Sequence, residues 1–256
     1  MAMSAENVAE IDHATATLVV GEKSKEDTLQ AVVHVTLADT FKTYWFMPGD
    51  GGLPPYFSSP QGKTHIHLPA PKRIIDEYGN AVGYKEQVSI PLTVKLSDEQ
   101  IHANRLNLNM TIGVCADICI PFIAELSADV PQSGTMMPRQ KFKFDDAFRA
   151  LPAPFSEAFQ PHSIALKTND GPTDLQLTFN VKMSDEMKSG SLSAFAAVRD
   201  DGNFFSHAST VKKTGDEVQV AIPVSSAMGV EHFSGKSLTL VLVSGDQAVE
   251  GVVQLP

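Results

Sequence analysis

From Leu106 to Ile112 the chain alternates without a break, Leu106, Leu108, Met110 and Ile112 against Asn107, Asn109 and Thr111. The pattern resumes with Phe122, Ala124 and Leu126 against Ile123 and Glu125. A period of two over such lengths is the signature of half-buried strands. Two strands this close in sequence are expected to pair as an antiparallel hairpin. At their junction stands Gly113-Val114-Cys115-Ala116-Asp117-Ile118-Cys119-Ile120-Pro121, which holds the only two cysteines in 256 residues. One pair makes no disulfide framework. Cys115 and Cys119 are therefore a redox pair, a metal clip or a small staple.

Magnitude separates the three. Closing so short a ring removes roughly 2 kcal/mol of unfolded-chain entropy, against more than about 4 kcal/mol for a loop of some tens of residues. A staple built for stability would span more of the chain. A short ring near the surface suits a catalytic or regulatory disulfide better. As a metal clip, two thiolates with Met110 or Met47 would suit Cu(I), a soft ion. His65 and His67 share a strand face and are the candidates for a divalent ion. Two adjacent cysteines are an incomplete zinc set, and a surface His-x-His is ordinarily two solvated imidazoles. No cofactor motif, phosphate loop, Ser-His-Asp arrangement or paired-carboxylate signal stands out. Nothing next to the pair in sequence is basic, and Asp117 would raise a neighbouring thiol's pKa. Such a pair waits for an activated partner rather than attacking first.

Gly113–Pro121 resembles the cysteine motif of the N-terminal periplasmic domain of the disulfide reductase DsbD, and more closely that of the copper-tolerance ScsB proteins. Two further stretches agree in order and spacing. One is Tyr44-Trp45-Phe46-Met47-Pro48-Gly49-Asp50-Gly51-Gly52-Leu53-Pro54-Pro55; the other is Tyr78-Gly79 with Gly83-Tyr84 and Val88-Ser89-Ile90-Pro91-Leu92. The resemblance covers roughly 30–131, and residues after 135 carry no family motif. The two cysteines lie closer together here than in DsbD itself, as in the ScsB-like pattern. The resemblance implies thiol–disulfide exchange in the periplasm, relaying electrons from a membrane-embedded reductase to thioredoxin-fold proteins. It implies that Cys119 forms the mixed disulfide and Cys115 resolves it. It also implies a cap loop over the disulfide, here Asp76, Glu77 and Tyr78 with Tyr84 following. Tyr44, Trp45 and Phe46 read as core or rim packing. The rival reading is a copper-binding or structural β-module, in which the cysteines hold Cu(I) or staple a hairpin.

The rest of the chain bounds these readings. A net charge of −10 with no basic cluster argues against nucleic acid and anionic membranes. Sixteen of the 30 acidic residues fall in 1–132 with only nine of the 20 basic ones, so the acidity is concentrated in the cysteine-bearing half. No apolar run is long enough to cross a bilayer. The start, Met-Ala-Met-Ser, lacks the pattern of a signal peptide and reads as an artificial start ahead of a mature sequence. Strand signals fall at 14–20, 29–38, 43–46, 63–68, 86–96, 104–112 and 121–127, about seven, as in an immunoglobulin-like sandwich. Pro91 predicts an edge position or a bulge, and Pro48–Pro55 an irregular run. Pro-Gln-Ser-Gly-Thr at 131–135 marks a boundary, followed by a possible short helix over 144–151 with Asp145 and Asp146 in its first turn. Strand signals return at 163–168, 173–182, 192–198, 204–212, 217–222, 237–244 and 248–255. The expectation is all-β: two immunoglobulin-like sandwiches in tandem, 1–132 and 162–256, joined by a linker over 133–161.

Overall fold

The computed structural model describes residues 3–5, 7–23, 27–77, 79–156, 160–171, 173–182, 192–199, 201–214 and 217–256. The chain divides into two compact units, Met1–Trp45 with Gly51–Leu151, and Phe46–Asp50 with Pro152–Pro256.

In the first part the strands are β1 (Met3–Ala5), β2 (Val8–Ile11), β3 (Ala14–Val20), β4 (Thr28–Leu37), β5 (Lys42–Gly49), β6 (Tyr56–Ser58), β7 (Gly62–Ile66), β8 (Lys72–Asp76), β9 (Gly79–Lys85), β10 (Gln87–Leu96), β11 (Arg105–Cys115) and β12 (Cys119–Asp129). One sheet runs β1-β2-β3-β4-β10-β7. The other runs β12-β11-β5-β9-β8, with β6 on β11. Alternation sets the core: Leu106, Leu108, Met110, Ile112 and Val114 of β11 are buried, as are Ala31, Val33 and Val35 of β4 and Ile90, Leu92 and Val94 of β10. Each large apolar side chain removed from water contributes about 1.5–3 kcal/mol.

Twelve strands stand where the alternation predicts about seven. The unexpected ones are β1, β2, β6 and the β8–β9 hairpin, all short or without a clean period of two. β5 also continues through Pro48 to Gly49, so the irregular run is shorter than expected. Pro91 lies inside β10 opposite Val32 of β4, not at an edge. Its carbonyl accepts the His67 N–H at 2.9 Å, so its nitrogen faces that same side, where the pairing with β7 has ended at Ile66. The missing donor therefore costs no ladder bond.

Helix α1 (Pro138–Arg149) begins six residues before the expected start, because Pro138 occupies its first turn and needs no donor there. Asp145 and Asp146 consequently fall in its later turns. Phe144 and Ala147 are buried with Val32 of β4, and Val19, Met136 and Phe148 pack around them. Gly21 makes room: a Cβ there would lie 2.4 Å from the Phe144 ring. The Glu22 carboxylate accepts the N–H groups of Gly134 and Met136 at 2.9 and 3.4 Å, which hold its pKa below the usual range. The helix, within the expected linker over 133–161, thus packs as a third layer on the first unit.

The second unit holds β13 (Ala153–Pro154), β14 (His162–Gly171), β15 (Asp174–Lys182), β16 (Leu192–Val198), β17 (Phe205–Ser206), β18 (Thr210–Thr214), β19 (Glu217–Ser225), β20 (Ser237–Ser244) and β21 (Gln247–Gln254). Its sheets run β13-β21-β20-β16 and β14-β15-β19-β17, with β18 on β19. Their inner faces meet in one core that includes Leu175, Leu177, Phe179, Val220, Ile222, Phe233, Leu238 and Leu240. The strand expected over 204–212 is two separate pieces, β17 and β18. The molecule is all-β, built of immunoglobulin-like sandwiches.

Candidate redox site

The hairpin of β11 and β12 closes on the cysteines. Its register runs unbroken from Arg105 opposite Asp129 to Cys115 opposite Cys119. The pair forms a disulfide with Cα atoms 4.1 Å apart. Odd-numbered residues of β11 lie on the face away from the core, so the disulfide shares that face with Thr111 and Asn109. The two sulfurs differ in access. Cys115 is 1% exposed, whereas Cys119 opens β12 at an exposed position. In the turn between them the Asp117 carboxylate accepts the Ile118 N–H at 3.0 Å. Ile118, Ile120 and Ile123 stand exposed alongside.

Three other segments reach the pair. β5 meets β11 at a single register point, Lys42 opposite Cys115. Two residues on, the Tyr44 hydroxyl lies 3.5 Å from the Cys119 sulfur. Tyr44 is otherwise buried, in one apolar cluster with Cys115, Ile74 of β8 and Ala81 of β9. Burial, then the negative charge of Asp76, pushes its hydroxyl pKa up to about 12, so it stays protonated at any physiological pH. The 50–55 loop backs this ring. Gly52 adopts φ +131°, and a Cβ there would sit 2.5 Å from the Tyr44 ring, so only glycine fits. One residue further, the Leu53 carbonyl accepts the Gly113 N–H at 3.3 Å.

The expected cap residues are distributed differently. Asp76 pairs with Gly79 at the end of the β8–β9 hairpin and grips the buried Lys42 ammonium at 2.7 and 3.0 Å. Glu77 is exposed in the turn, and Tyr78 lies outside the described residues. Tyr84 is buried, its hydroxyl donating to the Pro69 carbonyl at 2.7 Å. The described side chain against the exposed sulfur of the pair is Tyr44, which reads from sequence as core or rim packing. Lys42 was equally hidden, since the cation beside the cysteines comes from a strand 73 residues away.

Met110 faces the core, opposite the disulfide, and the Met47 sulfur accepts the Gly49 N–H. His67 is hydrogen-bonded to the Thr93 hydroxyl at 3.0 Å. Among the described residues no three His, Cys, Asp or Glu are grouped to hold a metal. No helix among them is long and apolar enough to cross a membrane.

Residues 14–131 match the family model of the thiol:disulfide interchange protein DsbD, N-terminal. The N-terminal periplasmic domain of ScsB from Proteus mirabilis superposes with a TM-score of 0.72 at 19% identity, over 97% of this chain and 98% of that one. That likeness shows a shared fold across both units. A yeast GGA1 GAE domain aligns over 49% of this chain and 99% of its own at 10% identity, with a TM-score of 0.29 that carries no argument. No curated protein sequence matches.

Proposed function

We propose that the chain, whose residues 14–131 match the family model of the DsbD N-terminal domain, is a periplasmic thiol–disulfide exchange module. It passes electron pairs from a membrane-embedded reductase to thioredoxin-fold proteins. The observation that carries this reading is the asymmetry of the pair, an exposed Cys119 bonded to a buried Cys115 with the Tyr44 hydroxyl on the exposed sulfur.

In the charging direction a donor thiolate attacks the Cys119 sulfur, the accessible one. The Cys115–Cys119 bond breaks and Cys115 leaves as a thiolate, which then takes up a proton. The donor's second thiolate attacks its own sulfur in the mixed disulfide and releases Cys119. Two electrons have entered the pair and the donor is left as a disulfide. Discharge is the reverse with an oxidised acceptor: the Cys119 thiolate attacks, and Cys115 then attacks Cys119 to expel the reduced acceptor. Tyr44, always protonated, donates a hydrogen bond to Cys119 whenever that sulfur is anionic, as a steadied thiolate requires.

Replacing Cys115 by Ser removes the resolving thiol. A mixed disulfide through Cys119 with an oxidised thioredoxin-fold protein should then accumulate. Accumulation only with Cys119→Ser would reverse the roles, and accumulation with neither variant would remove the exchange reading.

A further inference from the structure

The Lys42–Asp76 pair is unexpected on stability grounds. The Lys42 side chain is 5% exposed and that of Asp76 22%. Taking two charges out of water costs several kcal/mol per ion, and a well-packed apolar pair of similar volume often holds the same elements at least as well. The position of the pair suggests another use. Directly opposed residues on neighbouring strands project from the same face, so Lys42 shares the face that carries Cys115. Tyr44 continues that face and reaches Cys119. The pair therefore borders the apolar cluster in which the Cys115 sulfur is enclosed.

We infer that Lys42 is a positioning residue for exchange: its ammonium, aimed by Asp76, steadies the negative charge that Cys115 carries each time the Cys115–Cys119 bond opens. This rests on the reading of the pair as an exchange site. A thiol buried among Ile74, Ala81 and Tyr44 resists ionisation, yet Cys115 must leave as a thiolate in charging and attack as one in discharge. Leaving groups of lower pKa leave faster, and a nearby cation supplies that bias. Among the described residues, the charged and titratable groups that these contacts place around Cys115 are Lys42 and Tyr44 from β5, Asp76 from β8, Cys119 from β12 and Asp117 in the turn, whose carboxylate is bonded to the Ile118 N–H. β9 contributes the apolar Ala81. Lys42 is the cation of this set, and Asp76 sets how much of its field reaches the sulfur.

The rival is purely mechanical, with the ion pair pinning the β8–β9 hairpin beside the disulfide. The two differ in sign. In the whole chain, Lys42→Met should slow reduction of the oxidised pair by dithiothreitol about threefold, from a thiol pKa raised by about one unit and a rate sensitivity near one half. Thiolate absorbance of the reduced protein against pH should move upward in Lys42→Met, hold in Lys42→Arg and move downward in Asp76→Asn. Faster or unchanged reduction of Lys42→Met would overturn the inference, since loss of a mechanical pin uncovers the sulfurs. If Lys42→Met does not fold, the Asp76→Asn titration decides, and an unmoved or raised thiolate titration overturns it. Dithiothreitol and pH probe the pair without a protein partner. Failure here thus leaves the exchange reading standing, and failure of partner trapping leaves this result intact.

Discussion

Tyr44 shows how one side chain holds two roles. Its ring is buried and backed by Gly52, while its hydroxyl meets the exposed sulfur of the cysteine pair. Tyr44→Phe keeps the ring and removes only the donor, so the fold should persist. Reduced protein carrying this change should react with a small aromatic disulfide several-fold more slowly near neutrality. The difference should vanish at pH values where the Cys119 thiol is fully ionised. Because the Tyr44 pKa is pushed up to about 12 by burial and by Asp76, the hydroxyl itself does not titrate across that range. A stopped-flow rate profile checks this, and equal rates at neutral pH would leave Tyr44 with packing alone.

At the scale of elements, α1 is anchored by Phe144, which sits over Val32 in the space left by Gly21. Phe144→Ala should cost about 3–5 kcal/mol of first-unit stability, read as a lowered denaturant midpoint. A fragment ending at 132 should be destabilised relative to one ending at 151 for the same reason. An unchanged midpoint would mean the helix is only resting on the sheet. The helix start was legible in Pro138, yet the paired aspartates drew the expectation towards 144, since acids near a helix start are the commoner signal. The β11–β12 hairpin and its cysteines were legible because alternation and proximity fix a hairpin register locally. Lys42 and Tyr44 were not, because their place beside the cysteines depends on β5 meeting β11 across 73 residues of sequence. The β8–β9 hairpin escaped for a different reason: Lys-Arg-Ile-Ile-Asp carries adjacent apolar residues, one buried and one exposed, and no period of two.

At the scale of the molecule, the second unit carries its own titratable lock. The Asp201 carboxylate, 8% exposed, is gripped by Lys236, by His232 at 2.8 Å and by Asn203 at 3.0 Å. Burial alone would raise its pKa, but the bonds from Lys236, Asn203 and His232 outweigh burial and hold it well below the usual carboxylate range. A lowered folded-state value stabilises fully above the unfolded value of about 3.9 and is lost as pH falls through the folded value. Unfolding of the second unit should therefore become easier as pH drops from about 5 towards 2. Asp201→Asn should flatten that slope while lowering stability at neutral pH, and an unaltered slope would assign acid sensitivity to other carboxylates. The disulfide lies in the first unit, and the most direct measurement of the proposed exchange is equilibration of the whole chain with glutathione buffers of graded potential. The account predicts that the Cys115–Cys119 pair titrates at an intermediate potential, above about −300 mV. A disulfide that stays oxidised well below that value would be a structural staple and would contradict it.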